Sequence, residues 1–448
     1  MTKMKCFKTI ACMTLALTLC LGMALPVFAD SLDKVSIGSP DKDAQAALTK
    51  ILKVPFGTPI PDSIKFEFVI TKVNLDGNTT DMDKMPAIGT KTVAFVTTDT
   101  YETENGDTNV YTKESESLFA GAKWPQAGVY RYHVVENQSH TQTPNFDMYH
   151  EKIFYAREKY DIEVYVDTRT DGTLYIRYIV AYLIITEEDG EEKEYKVDPT
   201  PGEGVEGKYS DMAFLNKYFK YQGGPVDPDP DDPEVPTNPG NGAFYLKKIV
   251  EGLSSNQTDL YFPFTITLTR PSIATQDTVY RAYLMRGANL TPQAILPANY
   301  AAASVKIDAN GRQYIEFTIN QSNNSSSLTI NLRHDEWLSF PDMPVGARVI
   351  VKENAMADYT PSYQLTVNGK GPTIVDSKTP NTDLAFPDPV YLGTGTNRAD
   401  FINTYKDVTP TGIAVDDLPY IAIGVLAVLA LVGYVVIKSR AHHAAKKA

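Results

Sequence analysis

A proline-rich acidic segment near the middle of the chain limits what the rest can fold into. In residues 223–242, prolines alternate with aspartates and there are almost no large apolar side chains. Such a segment cannot form a packed core, and in the polyproline form it would extend by up to ~3.1 Å per residue. It therefore predicts a linker between two separately folded units, residues 47–222 and 243–407.

The sequence on both sides of this linker has the pattern of β-strands. Valine, isoleucine, threonine and many of the 27 tyrosines alternate with polar residues, and turn residues separate the runs. The predicted strands include 65–70, 129–135, 162–166, 173–186, 262–268, 313–319, 327–332, 348–352 and 363–367. We predict an all-β fold of two tandem sandwiches with seven to nine strands each. Residues 290–303 predict one short helix, and the polar residues 30–46 predict a flexible arm.

The N-terminus has the pattern of a signal peptide over residues 1–29. Three lysines precede an apolar run at 10–25, and Val27-Phe28-Ala29 fits a signal-peptidase site. All three cysteines, at positions 6, 12 and 20, lie inside this segment. The exported protein is therefore predicted to contain no thiol, disulfide or cysteine-based metal site.

The C-terminus combines a short motif, an apolar run and a basic tail. Residues 408–412 read Val-Thr-Pro-Thr-Gly, residues 418–437 carry no charge and can span a membrane, and 438–448 form a positive tail that should stay cytoplasmic. This arrangement resembles a Gram-positive cell-wall sorting signal, although the usual motif begins with Leu-Pro. The resemblance implies that a sortase cuts between Thr411 and Gly412 and passes the Thr411 carboxyl to an amine. The alternative is an ordinary single-span anchor with a chance Pro-Thr-Gly.

The two halves of the chain share three landmarks in the same order. Each has a lysine in an early apolar strand, a glutamate that ends a strand after a glycine turn, and a closing Phe-X-Asn-X-Tyr strand. In the first half these are 48–52, 127–136 and 214–218, and in the second half 246–252, 345–353 and 401–405. Together with the sorting signal, this order resembles the streptococcal backbone pilins of the T-antigen type, whose immunoglobulin-like domains carry isopeptide bonds.

The resemblance implies a role for six residues. In that family the first-strand lysine condenses with the last-strand asparagine, and an acidic residue promotes the step. Applied to this sequence, the resemblance implies two sets of residues. The first is Lys50, Glu136 and Asn216, and the second is Lys248, Glu353 and Asn403. Lys247 competes with Lys248, because Ile249 gives it an apolar neighbour as well. The alternative is that these lysines are solvated and the asparagines are ordinary turn residues.

The chemistry has a physical basis. Burial disfavours charge, so a core lysine becomes a nucleophilic amine and a core glutamate keeps its proton. We expect the protonated glutamate to donate to the asparagine amide oxygen and then to shuttle protons while ammonia leaves. The reaction occurs once in each domain, so the chain modifies itself and is not predicted to be an enzyme in the turnover sense.

The resemblance also implies partners, namely a sortase, other copies of the chain, minor pilins and peptidoglycan, at the cell-wall surface. Lys208 is the predicted acceptor lysine, because it lies just ahead of the closing strand of the first half, with Lys193 and Lys196 as rivals. The long linker differs from the tight domain junction of the family and argues against a stiff, straight shaft. An unpolymerised wall-anchored adhesin or stalk is the second interpretation, and a surface enzyme the third.

Composition and spacing also exclude several functions. The net charge is −13 and no basic cluster lies outside the signal segment and the tail, which excludes nucleic acid as a partner. The six histidines have no metal-like spacing with acidic residues. No phosphate loop or catalytic triad is present in the sequence, so no cofactor is predicted.

Overall fold

The computed structural model describes residues 34–445 except 142, 149, 187–190, 203–210, 223–241, 253–258, 276, 289–290, 301–304, 321 and 406–417. The predicted signal peptide, nearly all of the linker, the sorting motif at 408–412 and Lys208 lie outside the described residues. Within them the chain is built of β-strands, apart from a 3-10 turn at Thr79–Lys84 and a C-terminal helix. The all-β prediction is confirmed.

The first set of strands extends from residue 36 to residue 220. The strands are β1 (Ser36–Ile37), β2 (Thr49–Pro55), β3 (Ile64–Leu75), β4 (Lys91–Phe95), β5 (Glu102–Glu104), β6 (Thr108–Glu114), β7 (Gly128–Glu136), β8 (Glu151–Phe154), β9 (Lys159–Thr168), β10 (Leu174–Thr186), β11 (Glu192–Val197) and β12 (Ala213–Lys220). They form one sheet in the order β1-β10-β9-β7-β3-β4, with β11 beside β10, and a second in the order β5-β6-β2-β12-β8.

The second set of strands extends from residue 244 to residue 405. The strands are β13 (Phe244–Glu251), β14 (Phe262–Thr269), β15 (Thr278–Arg286), β16 (Val305–Ile307), β17 (Gln313–Ile319), β18 (Ser325–Leu332), β19 (Glu336–Phe340), β20 (Arg348–Glu353), β21 (Tyr359–Val367), β22 (Lys370–Asp376), β23 (Leu384–Ala385), β24 (Val390–Tyr391) and β25 (Arg398–Tyr405). One sheet has the order β16-β17-β15-β19-β13-β25-β21-β22, and the other β18-β14-β20-β23, with β24 beside β20.

Each set of strands encloses its own hydrophobic core. Alternate residues of the strands point inward, as in β14, where Phe262, Phe264, Ile266 and Leu268 are fully buried and the residues between them are not. The core of the first set and that of the second form two separate clusters of buried side chains. Both sets contain more strands than the seven to nine predicted, because short edge strands such as β1, β5, β16, β23 and β24 add to each sheet.

The prediction of a flexible arm over residues 30–46 is wrong for its described part, residues 34–46. Ser36 and Ile37 pair with Ile179 and Tyr178 of β10, and the Ala44 amide donates to the Ile176 carbonyl at 2.9 Å. Ala44 and Ala46 are buried in the first core. The small apolar side chains between the polar residues pack against the edge of the sheet. The polar composition of the segment hides this pattern in the sequence.

The predicted helix at 290–303 is also wrong. Residues 291–300 contain turns and irregular backbone. Pro292 and Pro297 lie in this stretch, and a proline inside a helix removes a backbone donor and disfavours helical backbone in the residue before it. The Leu296 amide instead donates to the Asn299 side chain at 3.0 Å.

The two sets of strands contact each other directly. The Val345 amide donates to the Lys220 carbonyl at 2.8 Å, and Arg348 lies 3.5 Å from Asp107 across the junction. The rings of Phe56 and Tyr391 meet edge to face with centroids 5.4 Å apart. The two sandwiches therefore share an interface, which differs from the loosely linked arrangement that the linker sequence suggests.

The C-terminal helix, α1 (Leu418–Ala445), begins at the residue where the sequence predicts the membrane span. Its stretch Ala422–Ser439 is long and apolar enough to cross a bilayer. Of the predicted basic tail, Lys438 lies within this stretch and the other basic residues follow it in the sequence.

Candidate functional site

Lys50 and Asn216 lie on adjacent strands in the middle of one sheet. β2 and β12 run parallel, with Lys50 paired to Phe214 and Asn216 paired to Leu52. The alternation of β2 turns Lys50 and Leu52 inward, and both are fully buried, as is Leu48 just before the strand. The first and last long strands of this half thus bring the two predicted partners to one point in the core.

Glu136 reaches this point from the opposite sheet. It ends β7, and its Oε1 lies 2.8 Å from Lys50 Nζ and accepts a hydrogen bond from Asn216 Nδ2 at 2.9 Å. Both Lys50 and Glu136 have fully buried side chains. One carboxylate oxygen therefore touches the nitrogen that would attack and the nitrogen that would leave.

Burial shifts both titrating groups of this cluster. It lowers the pKa of the Lys50 ammonium to about 8, because removal from water outweighs the attraction of Glu136. It raises the pKa of the Glu136 carboxyl, against the pull of Lys50 and of the hydrogen bonds from Asn216 and Ala156. The two shifts bring the pKa values closer together and ease proton transfer from the amine to the carboxylate.

The amide of Asn216 has a defined orientation. Its Oδ1 accepts a hydrogen bond from the backbone N–H of Ala156 at 2.6 Å, and its Nδ2 faces Glu136. The expectation that glutamate donates to the amide oxygen is therefore not met in this structure. A backbone donor holds the oxygen instead, which leaves the glutamate free to contact both nitrogens.

The second half repeats the cluster. β13 and β25 run parallel, Lys248 pairs with Phe401, and Asn403 pairs with Val250. Glu353 ends β20 in the opposite sheet; its Oε1 lies 2.8 Å from Lys248 Nζ and accepts from Asn403 Nδ2 at 2.9 Å. Burial lowers the pKa of Lys248 to about 8 and raises that of Glu353.

The structure distinguishes Lys248 from its rival Lys247. Lys248 is fully buried, whereas Lys247 points to the other face of β13 and its Nζ contacts Asp335 Oδ1 at 2.6 Å. The side chain of Lys247 is 23% exposed. Lys247 faces solvent and a surface partner instead of the core, so of the two lysines Lys248 is the one that meets the glutamate and asparagine.

Two phenylalanines in each half lie against the buried lysine and were not predicted from the sequence. Lys50 Nζ lies 4.6 Å from the ring centre of Phe66 and 5.9 Å from that of Phe68. The corresponding distances from Lys248 are 4.4 Å to Phe262 and 6.0 Å to Phe264. The rings shield each lysine from water. A Phe-X-Phe pair in the second long strand of each half was the signal that could have found them.

The register of these strands is also the same in both halves. Phe68 pairs with Glu136 across β3 and β7, and Phe264 pairs with Glu353 across β14 and β20. The two phenylalanines, and not only the three polar residues, are therefore duplicated.

The structure tests neither the predicted sortase-cleavage residues nor the predicted acceptor lysine. Thr411, Gly412 and Lys208 lie outside the described residues. The rival lysines, Lys193 and Lys196, lie on β11 at the edge of the first half, Lys193 exposed and Lys196 half-buried. The position of either rival on an edge strand fits access from outside.

The chemical capacity of each cluster follows from these contacts. A lysine amine, an asparagine amide and a glutamate that touches both nitrogens are held together without water access. Proximity of this kind can supply ~7–11 kcal/mol of a reaction barrier in favourable cases. The arrangement suits condensation of the lysine with the asparagine and loss of ammonia.

Comparison with known proteins gives a limited result. A family model described as "Domain of unknown function (DUF7601)" matches residues 242–385. No curated protein matches the chain. Among solved structures, the chain is similar to the major pilin from Streptococcus pyogenes, with 16% identity, a TM-score of 0.29, and 81% of this chain and 99% of that chain covered.

Two other solved structures are similar at the same level. The major pilin protein T3.2 from Streptococcus pyogenes has 16% identity and a TM-score of 0.27, with 83% of this chain and 99% of that chain covered. A pilus-presented adhesin has 15% identity and a TM-score of 0.20, with 50% of this chain and 35% of that chain covered. At these identities and TM-scores the likeness carries no inference about function.

Proposed function

We propose that this chain is the backbone subunit of a pilus on a Gram-positive cell wall, stabilised by two isopeptide bonds that it forms within itself. The observation that carries the proposal is the duplicated cluster of a buried lysine, glutamate and asparagine. Burying charged groups costs free energy that pairing often does not fully offset, so stability alone does not explain two buried lysine–glutamate pairs. Two such clusters in identical register, each linking an early strand to the last strand, favour a covalent cross-link over chance.

The position of the proposed bonds suits a protein under tension. Each would join an early strand to the last strand of its half, Lys50 to Asn216 and Lys248 to Asn403. A pull applied to the chain ends would pass through the bond and bypass most of each sandwich. An exported chain without disulfides gains in this way a cross-link that reducing agents cannot open.

The sorting signal supports polymerisation. We propose that α1 holds the exported chain in the membrane until a sortase cuts between Thr411 and Gly412. The Thr411 carboxyl would then pass to Lys208 of another copy of the chain, or to cell-wall peptidoglycan at the base of the fibre. An acceptor amine must be exposed to reach a thioester held by the sortase, which excludes Lys50 and Lys248.

Co-expression of the full chain with its sortase tests this proposal. We expect a ladder of covalent polymers on a denaturing gel, and peptide mapping of the dimer should show Thr411 joined to Lys208. Thr411→Ala should abolish the ladder and Lys208→Arg should do the same, whereas Lys193→Arg should leave it intact. A link to Lys193, Lys196 or a lysine of the second half would overturn the acceptor assignment but keep the pilin proposal.

The same experiment separates the alternative. If the chain appears only as monomers with Thr411 joined to cell-wall peptide, the protein is an unpolymerised wall-anchored adhesin or stalk. In that case the internal bonds would still form, because they depend on the folded sandwiches and not on the sortase.

A further inference from the structure

The two clusters differ in what holds the oxygen of the reacting amide. In the first, Asn216 Oδ1 accepts a hydrogen bond from the Ala156 backbone N–H at 2.6 Å. In the second, Asn403 Oδ1 is buried and has no hydrogen-bond partner among the described residues. The lysine and glutamate contacts are otherwise equal, at 2.8 Å in both clusters.

Strand geometry accounts for this difference. β8 lies beside β12 and ends at Phe154, which pairs with Lys217, so the next residues leave the ladder near Asn216. Ala156 is buried there, and its N–H points to Asn216 Oδ1 and, at 3.2 Å, to Glu136 Oε2. The donor is available because no strand partner uses it.

The corresponding place in the second half is filled by a regular strand. β21 lies beside β25 and continues on both sides of Pro361, which pairs with Asn403. Proline has no N–H to donate, and the neighbouring residues remain in the ladder. The second amide oxygen therefore has no backbone donor from this strand.

We propose that the Ala156 N–H is a catalytic donor for the first bond, and that Lys50–Asn216 therefore closes before Lys248–Asn403. This inference rests on the proposed function, which requires both bonds. It assigns a role in the reaction to a backbone N–H, which the side chains of the cluster alone do not indicate.

The step can be written in full. The Lys50 ammonium gives one proton to Glu136, and the Nζ lone pair then forms a bond to Asn216 Cγ. The carbonyl π electrons move to Oδ1, where the Ala156 N–H stabilises the negative charge. Glu136 passes its proton to Nδ2 and takes one from Nζ, and the Cγ–Nδ2 bond breaks as the carbonyl reforms. An amide and one ammonia result, and Glu136 ends protonated.

The expected size of the effect comes from comparable donors. Removing one hydrogen-bond donor from an oxyanion site typically slows the chemical step by about 100- to 1,000-fold. We therefore expect loss of the Ala156 N–H to slow the first bond by about 100-fold, toward the rate of the second bond.

A backbone substitution tests this donor without changing the side chain. The full chain is synthesised in a cell-free extract with detergent, and lactic acid replaces Ala156 by codon suppression, which converts the amide N–H to an ester oxygen. Samples are quenched in acid at intervals, and the two cross-linked peptides are quantified by mass spectrometry. Alanine introduced by the same suppression, and Ala156→Gly, both keep the N–H and serve as controls.

We expect the lactic acid chain to form the first bond about 100-fold more slowly while the second bond forms at its usual rate. The unchanged second bond serves as the internal standard. An unchanged first bond in the lactic acid chain, or a second bond that forms first in the unaltered chain, would overturn the inference. If the unaltered chain forms neither bond, the proposed function itself fails.

Discussion

Lys248 and Asn403 lie on adjacent parallel strands with a stagger of two positions, because Lys248 pairs with Phe401 and Asn403 pairs with Val250. Lys50 and Asn216 have the same stagger in the first half. In both halves the glutamate comes from the facing sheet. A bond at this place would tie the early and last strands together through the centre of each sandwich.

We predict that Lys50→Met lowers the stability of the first sandwich by about 5 kcal/mol. The bond would close a loop of well over a hundred residues, and by analogy with a disulfide, closing such a loop is worth about that much. Methionine fills the space of the lysine stem, and burial raises the pKa of the Glu136 carboxyl, which limits the cost of leaving it without a cationic partner. In calorimetry of residues 30–405, the corresponding transition should fall by roughly 10–20 °C.

Lys53→Met is the matched control for this change. Lys53 lies on the same strand, but its side chain is 23% exposed and contacts Glu104 at the surface. We expect its effect on the melting temperature to be small. Equal melting temperatures for Lys50→Met and the unaltered protein would contradict the account of stability.

The unreacted cluster should leave a signature in the dependence of stability on pH. Asn216→Ala blocks the bond but keeps Lys50, whose pKa falls from 10.5 to about 8 in the folded chain because of burial. Between these values Lys50 binds more protons in the unfolded chain than in the folded chain, so its contribution to stability must rise with pH. The slope is at most ~1.4 kcal/mol per pH unit.

The reference for this measurement is the triple variant Lys50→Met, Glu136→Gln and Asn216→Ala, which lacks both titrating groups. The free energy of unfolding of both variants is measured by denaturant titration from pH 7.5 to 10. The tyrosines are the same in both variants, so the difference between the two free energies reports on the cluster. A difference that is flat or falls with pH would contradict a lowered pKa of Lys50 that dominates the cluster.

Contact between the two sandwiches should depend on Gly346. This residue has a φ of +84°, and a methyl group added there would come within 2.6 Å of Pro55 Cβ and 2.9 Å of the Phe56 carbonyl oxygen in the other sandwich. We expect Gly346→Ala to open the junction at a cost of about 1–3 kcal/mol. Small-angle scattering should show a larger radius of gyration and a broader distribution of distances.

Gly311→Ala separates this clash from backbone strain. Gly311 has a similar φ of +77°, but a methyl group added there meets no atom within 4 Å. It should cost local stability without changing the scattering profile. If both variants scatter like the unaltered protein, the interface does not hold the sandwiches together.

The sequence predicts the polar part of each cluster because strand alternation and chain order are visible in it. A lysine with apolar residues two positions to either side, and an asparagine two positions after a phenylalanine, already indicate which side chains share a face. The β-fold and most strand positions follow from the same periodicity. The extra edge strands could not be predicted, because two- and three-residue strands contain too little pattern.

Other features depend on contacts between distant residues. The Ala156 N–H is a backbone group, and its role appears only because β8 ends beside Asn216. The docking of residues 34–46 depends on the edge that β10 offers to β1. The interface between the sandwiches uses side chains from both halves, such as Asp107 and Arg348, that no local pattern connects.

The intact mass of the purified protein tests the central claim most directly. We predict that the mass of residues 30–405 falls short of the sequence mass by two molecules of ammonia, one for each bond. Glu136→Gln and Glu353→Gln should each restore one ammonia, and the double variant should restore both. A mass equal to that of the unmodified sequence in the unaltered protein would contradict the account.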